Sequence, residues 1–180
     1  SLWNYELGEK SSFFDGRLML NVGAYYIDWS DIQLDQHTLA SGIYYTANAG
    51  QAHVEGVEVE LKGRPTEQLE LGGSLSLNHS RLVSINPTVA ATIGDRLPGS
   101  APVNAVGYAQ YTWPVGADAS LFARVDVRYM GKAYSDLDNA TSLTYGRYTD
   151  VSLRGGVEWG RYAFTAFVDN VGGGRGAVSA

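Results

Sequence analysis

The sequence predicts an all-β fold, an antiparallel up-and-down transmembrane β-barrel segment, on three observations. The first is two-residue alternation: Leu69, Leu71, Leu75 and Leu77 alternate with Glu70, Gly72, Ser74, Ser76 and Asn78, and similar patterns recur towards the C-terminus. Such alternation marks long strands with one oily and one wet face. The second is the punctuation between strands: Asp15-Gly16 is tight, 34–42 long, 65–68 tight, 84–97 long, 114–118 tight, 136–145 long and Gly160-Arg161 tight. If neighbours in sequence pair, every tight turn lies at one end of the sheet and every long loop at the other, as in transmembrane barrels. The third is the placement of Trp113, Trp159 and Tyr162 at tight-turn ends, where indole and phenol rings suit a membrane interface.

About eight strands follow from this pattern. The first, 4–11, sets Tyr5 and Leu7 against Glu6, Gly8 and Lys10. The second, 17–33, sets Leu18, Leu20, Val22, Ala24 and Tyr26 opposite Arg17, Asn21 and Gly23. Its upper half is ambiguous, because Tyr25, Ile27 and Trp29 are as apolar as their neighbours, and a bulge there would swap the faces. In the third, 43–62, Val57, Val59 and Leu61 oppose Gly56, Glu58, Glu60 and Lys62; the fourth is the leucine strand. The fifth, 103–113, sets Val103, Ala105, Ala109, Tyr111 and Trp113 against Asn104, Tyr108, Gln110 and Thr112. The sixth sets Leu121, Ala123, Val125, Val127 and Tyr129 against Ser120, Arg124, Asp126 and Arg128. In the seventh, Val151, Leu153, Val157 and Trp159 oppose Asp150, Ser152, Arg154 and Glu158; in the eighth, Tyr162, Phe164, Ala166 and Val168 oppose Thr165 and Asp169. Several of these strands reach about 12 residues, where soluble strands average about 5 or 6.

Composition narrows the function classes. A net charge of −6 and a pI near 4.9 argue against a nucleic-acid surface, which concentrates Lys and Arg on one face. Zero cysteines exclude a disulfide framework and a Cys-based zinc site. No stretch approaches the roughly 18 consecutive apolar residues of a membrane helix. A barrel strand needs only about 10 residues, half of them apolar, so a mean hydropathy of −0.15 is uninformative about a barrel. A soluble carbohydrate-binding β-sandwich also alternates, but its loops need not sort by length onto opposite ends.

The residues resemble the C-terminal part of the barrel in TonB-dependent outer-membrane receptors. The marks are Tyr5-Glu6-Leu7-Gly8, Phe14-Asp15-Gly16-Arg17-Leu18, and Tyr25-Tyr26-Ile27-Asp28-Trp29-Ser30-Asp31-Ile32-Gln33. Asn48-Ala49-Gly50-Gln51-Ala52 follows, then Gly56-Val57-Glu58-Val59-Glu60-Leu61 and Arg64-Pro65. Arg96-Leu97-Pro98, Ala101-Pro102 and Val168-Asp169-Asn170-Val171 complete the series, which covers essentially the whole chain. The resemblance implies that 1–180 is the C-terminal portion of a barrel of about 22 strands, with the plug and final strand outside it. It further implies a location in the outer membrane of a Gram-negative bacterium, with lipid bilayer, plug and TonB complex as partners. The implied task is active uptake of a scarce solute such as an iron-siderophore complex, without enzyme activity and without a cofactor. A passive porin is the alternative reading, and the sandwich a third.

Candidate sites are sparse. Glu58 and Glu60, with Arg124, Asp126, Arg128 and Arg154, occupy the wet side of their strands, where they would line the lumen and meet a plug. Asp150 and Glu158 share the last row. As plain structure, these charges are cross-strand ion pairs that stiffen the wall. Trp29, Tyr44, Tyr45 and Tyr134 are expected near the external end, as ligand contacts or as an upper girdle. His79-Ser80 cannot form a hydrolase pair, because adjacent strand residues point to opposite faces; His53 and His79 fall on the outward side. Asp136, Asp138 and Asn139 could clip a calcium ion but lack the EF-hand spacing, which favours a solvated loop. Gly172-Gly173-Gly174-Arg175-Gly176 lacks the phosphate-loop spacing and the following helix, and reads as a flexible loop.

Overall fold

The computed structural model describes residues 1–37 and 44–174, and the side chains of all of these except 34–37, 44, 45 and 47. Among the described residues twelve strands form: β1 (Leu2–Phe13), β2 (Leu18–Ser30), β3 (Gln33–His37), β4 (Tyr44–Asn48), β5 (Gly50–Gly63), β6 (Leu69–Ile85), β7 (Val103–Val115), β8 (Ala119–Met130), β9 (Ala133–Tyr134), β10 (Thr144–Tyr145), β11 (Tyr148–Trp159) and β12 (Tyr162–Val168). Eight of them make one antiparallel sheet in the order β1-β2-β5-β6-β7-β8-β11-β12. Sequence neighbours therefore pair, as the turn spacing implied. β3–β4 and β9–β10 are separate hairpins in the long connections. Among the described residues, β1 and β12 each have a sheet partner on one side only, so the barrel is not closed.

Two expected strands are each broken in two. The stretch expected as 17–33 is interrupted at Asp31, whose φ of 57° is left-handed. The Asn48 amide donates to the Asp31 carboxylate at 2.9 Å, and Ile32 and Ala49 exchange backbone bonds with Gly50 and Ile32 at 3.0 and 2.7 Å. Gly50 is needed beside this break: its φ is 120°, and a Cβ there would run into the Ser84 carbonyl. The ambiguity in the upper half of β2 resolves without a bulge, since its register with both neighbours is unbroken from Leu18 to Trp29. The register shift lies instead between β5 and β6 at Gln51/Ala52. Pro114, expected in a turn, sits inside β7 opposite Ser120.

Register assigns every side chain to a face. One register row runs Leu7, Ala24, Val57, Leu77, Val103; another runs Phe13, Leu18, Gly63, Leu71, Ala109, Val125, Leu153, Val168. No second layer of the described chain covers this apolar face: Leu7 is 81% exposed, Phe164 66% and Trp159 63%. The packed core lies elsewhere. Ile32, Ala49, Ala52, Leu82, Val89, Leu97 and Leu137 form a buried cluster, with Trp29, Val54, Ile85 and Ala91 against it. Ala52, Val54, Leu82 and Trp29 all stand on the polar side of their strands, so the long connections fold over that side at its loop end.

The apolar band is slanted across the strands. Its tight-turn limit is Trp159 and Tyr162 on β11 and β12, but Phe13 and Leu18 on β1 and β2, a row level with Leu153. That climb of about 20 Å across about 34 Å of sheet corresponds to a strand tilt of about 30°. On β6 the band from Leu69 to Leu77 is about 26 Å long, or about 23 Å when tilted, close to the lipid-facing height of about 25 Å in membrane barrels.

Candidate functional site

The polar face carries a charged chain that crosses five strands. Glu70 on β6 accepts from Arg64 Nη2 at 2.7 Å and from the Tyr108 hydroxyl on β7 at 2.7 Å, with Lys62 Nζ at 3.6 Å. The Arg124 guanidinium on β8 lies 3.8 Å above the Tyr108 ring centroid and donates to Asp126 at 2.6 Å. Arg154 on β11 approaches Asp126 at 3.9 Å. Arg124 and Asp126 lie two apart on one strand, so their ion pair runs along the strand, where the sequence led us to expect pairs across it. Glu60 accepts from Asn21 at 2.9 Å. Glu58 stands between Gly23 and Ser76, and exposed Arg128 stands opposite Asp150, whose Oδ1 is buried without a hydrogen-bond partner among the described residues.

Close backbone approach makes room for the aromatics on this face. Tyr108 lies over Gly72, Tyr25 over Gly56 and Phe122 over Gly156, each pair directly cross-strand, and a Cβ on any of these glycines would enter the ring. Lys62, Tyr108, Arg124, Asp126 and Arg154 of the charged chain, with Gly72 beneath Tyr108, line a concavity of about 760 Å³ that also includes Glu60, Ser74, Arg128 and Ser152.

All six predicted charged residues share this face. Glu70, Tyr108, Lys62 and Arg64 were missed as site residues, although Glu70 and Tyr108 already stood on the wet side of their strands; carrying the row across the register would have found them. Trp29 packs beneath the buried loop cluster, and Tyr134 lies in β9 with Lys132 Nζ 4.5 Å from its ring centroid. Tyr44 and Tyr45 belong to β4, and their side chains lie outside the described ones. The 38–42 part of the expected long loop and Arg175-Gly176 of the glycine run lie outside the described residues.

The loops above the concavity are tied together. Asn139 accepts from the Arg96 amide at 2.7 Å and donates to the Arg96 carbonyl at 3.1 Å, joining 135–143 to 86–102. Ser100 donates to Asn78 at 2.8 Å and accepts from buried Ser80 at 2.7 Å, while Asn78 donates to Tyr25 at 2.9 Å. Asp138 is engaged by Ala140 N and Thr141 Oγ1, and among the described residues no group of three or more His, Cys, Asp or Glu converges to hold a metal. His79 is exposed on the apolar face and Ser80 buried on the other.

The family profile described as TonB dependent receptor-like, beta-barrel matches residues 2–171. The chain belongs to the TonB-dependent receptor β-barrel family. Barrels of this family reside in the outer membrane of Gram-negative bacteria, and the family consists of transport receptors. The fold is also that of solved receptors. The ferric yersiniabactin uptake receptor FyuA from Yersinia pestis superposes with a TM-score of 0.73 at 23% identity, over 94% of this chain and 24% of that one. BauA, the ferric preacinetobactin receptor from Acinetobacter baumannii, gives 0.69 at 19% identity over 95% and 25%. The ferric-catecholate import receptor Fiu from E. coli K12 gives 0.67 at 23% identity over 93% and 23%. This TonB-dependent receptor barrel chain thus spans about a quarter of the length of the solved receptors it matches.

Proposed function

We propose that residues 1–180 form about eight strands, roughly strands 14 to 21, of a barrel of about 22 strands in a receptor that takes up a scarce iron-siderophore complex. The observation that carries this reading is the bare apolar face, banded by Trp113, Trp159 and Tyr162 at the tight-turn end. A wall of that form needs hydrocarbon outside and a polar filling inside. The charged chain then faces the lumen: Glu58, Glu60, Arg124, Asp126, Arg128 and Arg154 contact a plug contributed by the rest of the receptor, and pulling by the TonB complex releases it. Of the four external aromatics, Tyr134, half-exposed in β9, remains the candidate for ligand contact, whereas Trp29 packs against the loop cluster. No bond is made or broken, so no catalysis is assigned.

The test is uptake of labelled ferric siderophores by cells carrying the full-length receptor, with and without TonB. Saturable uptake that requires TonB is expected. Uptake that is linear in solute concentration, limited by solute size and indifferent to TonB would sink this reading in favour of a passive porin.

A further inference from the structure

The apolar band has one member ill-suited to hydrocarbon. On β1 the outward face reads Trp3, Tyr5, Leu7, Glu9, Ser11, Phe13, because register pairs Leu7 with Ala24, Glu9 with Val22 and Phe13 with Leu18. Glu9 therefore stands in the row of Val22, Val59, Leu75 and Ala105. On β2 the band runs from Leu18 to Tyr26, about 26 Å at about 3.3 Å per residue, and Val22 is its midpoint. The Glu9 carboxylate is thus held near mid-bilayer, where ionisable groups are costly and are kept beside a partner. The described chain offers it little. Ser11 Oγ donates to its Oε1 at 2.6 Å, and the outward residues facing it on β2 are Leu20, Val22 and Ala24. Among the described residues Ser11 is its one polar partner.

Strand order shows where a second partner comes from. Among the described residues β1 is bonded to β2 alone and its other edge is open. The polar pair Glu9–Ser11 is confined to β1, between Leu7 on one side and Phe13 on the other. A protein docking sideways on the face would spread over several strands and meet Leu20, Val22, Val59 and Leu61, which are as oily as lipid. A strand bonded to the open edge instead brings one side chain to about 5 Å from the Glu9 Cβ on the same face.

We propose that the strand bonded to the open edge of β1 in the full receptor carries an outward-facing Lys or Arg beside Glu9, and that this mid-bilayer ion pair fixes the register of that seam. A hydroxyl there would satisfy one lone pair and leave the charge, whereas a cation also neutralises it. Such a lock is specific. A slip of one residue would turn the basic side chain into the lumen and leave Glu9 alone in hydrocarbon, and a slip of two would part the charges by about 7 Å. The inference rests on the larger-barrel part of the proposed function and not on the transported solute, since a passive porin would have the same seam.

The full-length receptor would be refolded into phosphatidylcholine vesicles and unfolded with urea. Glu9→Leu is expected to raise the unfolding equilibrium constant about 30-fold at a given urea concentration, because it leaves the basic group unpaired in lipid. Replacing each Lys and Arg of the adjoining strand by Leu in the Glu9→Leu background should then find one position that restores the wild-type midpoint. That same change does not rescue Glu6→Leu, which faces the lumen from β1. If Glu9→Leu does not refold, recovery of heat-modifiable mobility in the double variant reads the same pairing. A Glu9→Leu receptor as stable as the wild type, or more so, overturns the proposal, because an unpartnered carboxylate in lipid gains from replacement by leucine. A loss of stability that no basic residue of the adjoining strand rescues also overturns it, and is the outcome expected of a separate membrane partner. Siderophore uptake, measured separately, reports only on the transport reading.

Discussion

Single residues on the polar face are constrained in pairs. Gly72 admits the Tyr108 ring, and the three atoms nearest to where its Cβ would go all belong to that side chain. Gly72→Ala is therefore expected to cost about 1–3 kcal/mol in the urea unfolding of the refolded full-length receptor, as overpacking generally does. Tyr108→Ala in the same molecule should recover much of that loss, giving a favourable coupling in a double-mutant cycle. Gly156 looks equivalent and is not. The Phe164 carbonyl as well as the Phe122 ring occupies its Cβ position, so Phe122→Ala should fail to rescue Gly156→Ala. Equal rescue at both sites would show that the rings alone set the glycine requirement.

At the scale of elements, the connections behave as one body. Asn139 makes two bonds to the Arg96 backbone and another to the Leu137 carbonyl, and Leu97 and Leu137 share one buried cluster. Asn139→Ala should speed amide exchange at Arg96 by about 10–100-fold, the equivalent of about 1–3 kcal/mol for unsatisfied backbone groups, with no change along β8 or β11. Much of the wall was legible in the sequence, because one period-two rule places every residue from Leu69 to Leu77 and from Ser120 to Tyr129. The loop end was not. Trp29, Val54 and Leu82 obey strand parity yet meet apolar partners from 86–102 and 135–143, a contact that no local pattern encodes. Likewise the break at Asp31 depends on an amide from Asn48, and the Glu70–Tyr108–Arg124 chain depends on a register that only paired strands define.

For the whole molecule, the decisive property is the difference between the two faces. Leu75 and Ser76 are neighbours on β6, one on the apolar side and one on the polar side. Leu75→Arg should destabilise the refolded receptor in lipid by about 2–4 kcal/mol, the cost of a cation near mid-bilayer on a barrel wall, while Ser76→Arg should cost far less. The comparison is made by urea titration in vesicles, and similar costs for the two would contradict the assignment of the faces.

The one-sided pairing of β1 and β12 governs how such a wall can come into being. Among the described residues each leaves a column of amides and carbonyls unmatched, and hydrocarbon offers no substitute donor or acceptor. A ribbon in that condition is not a resting place on the insertion route: it either zips to further strands as it enters the bilayer or waits outside with its margins shielded. In the larger barrel proposed above, these eight strands should therefore show no stable half-paired stage, only a held precursor and the closed wall of the whole receptor.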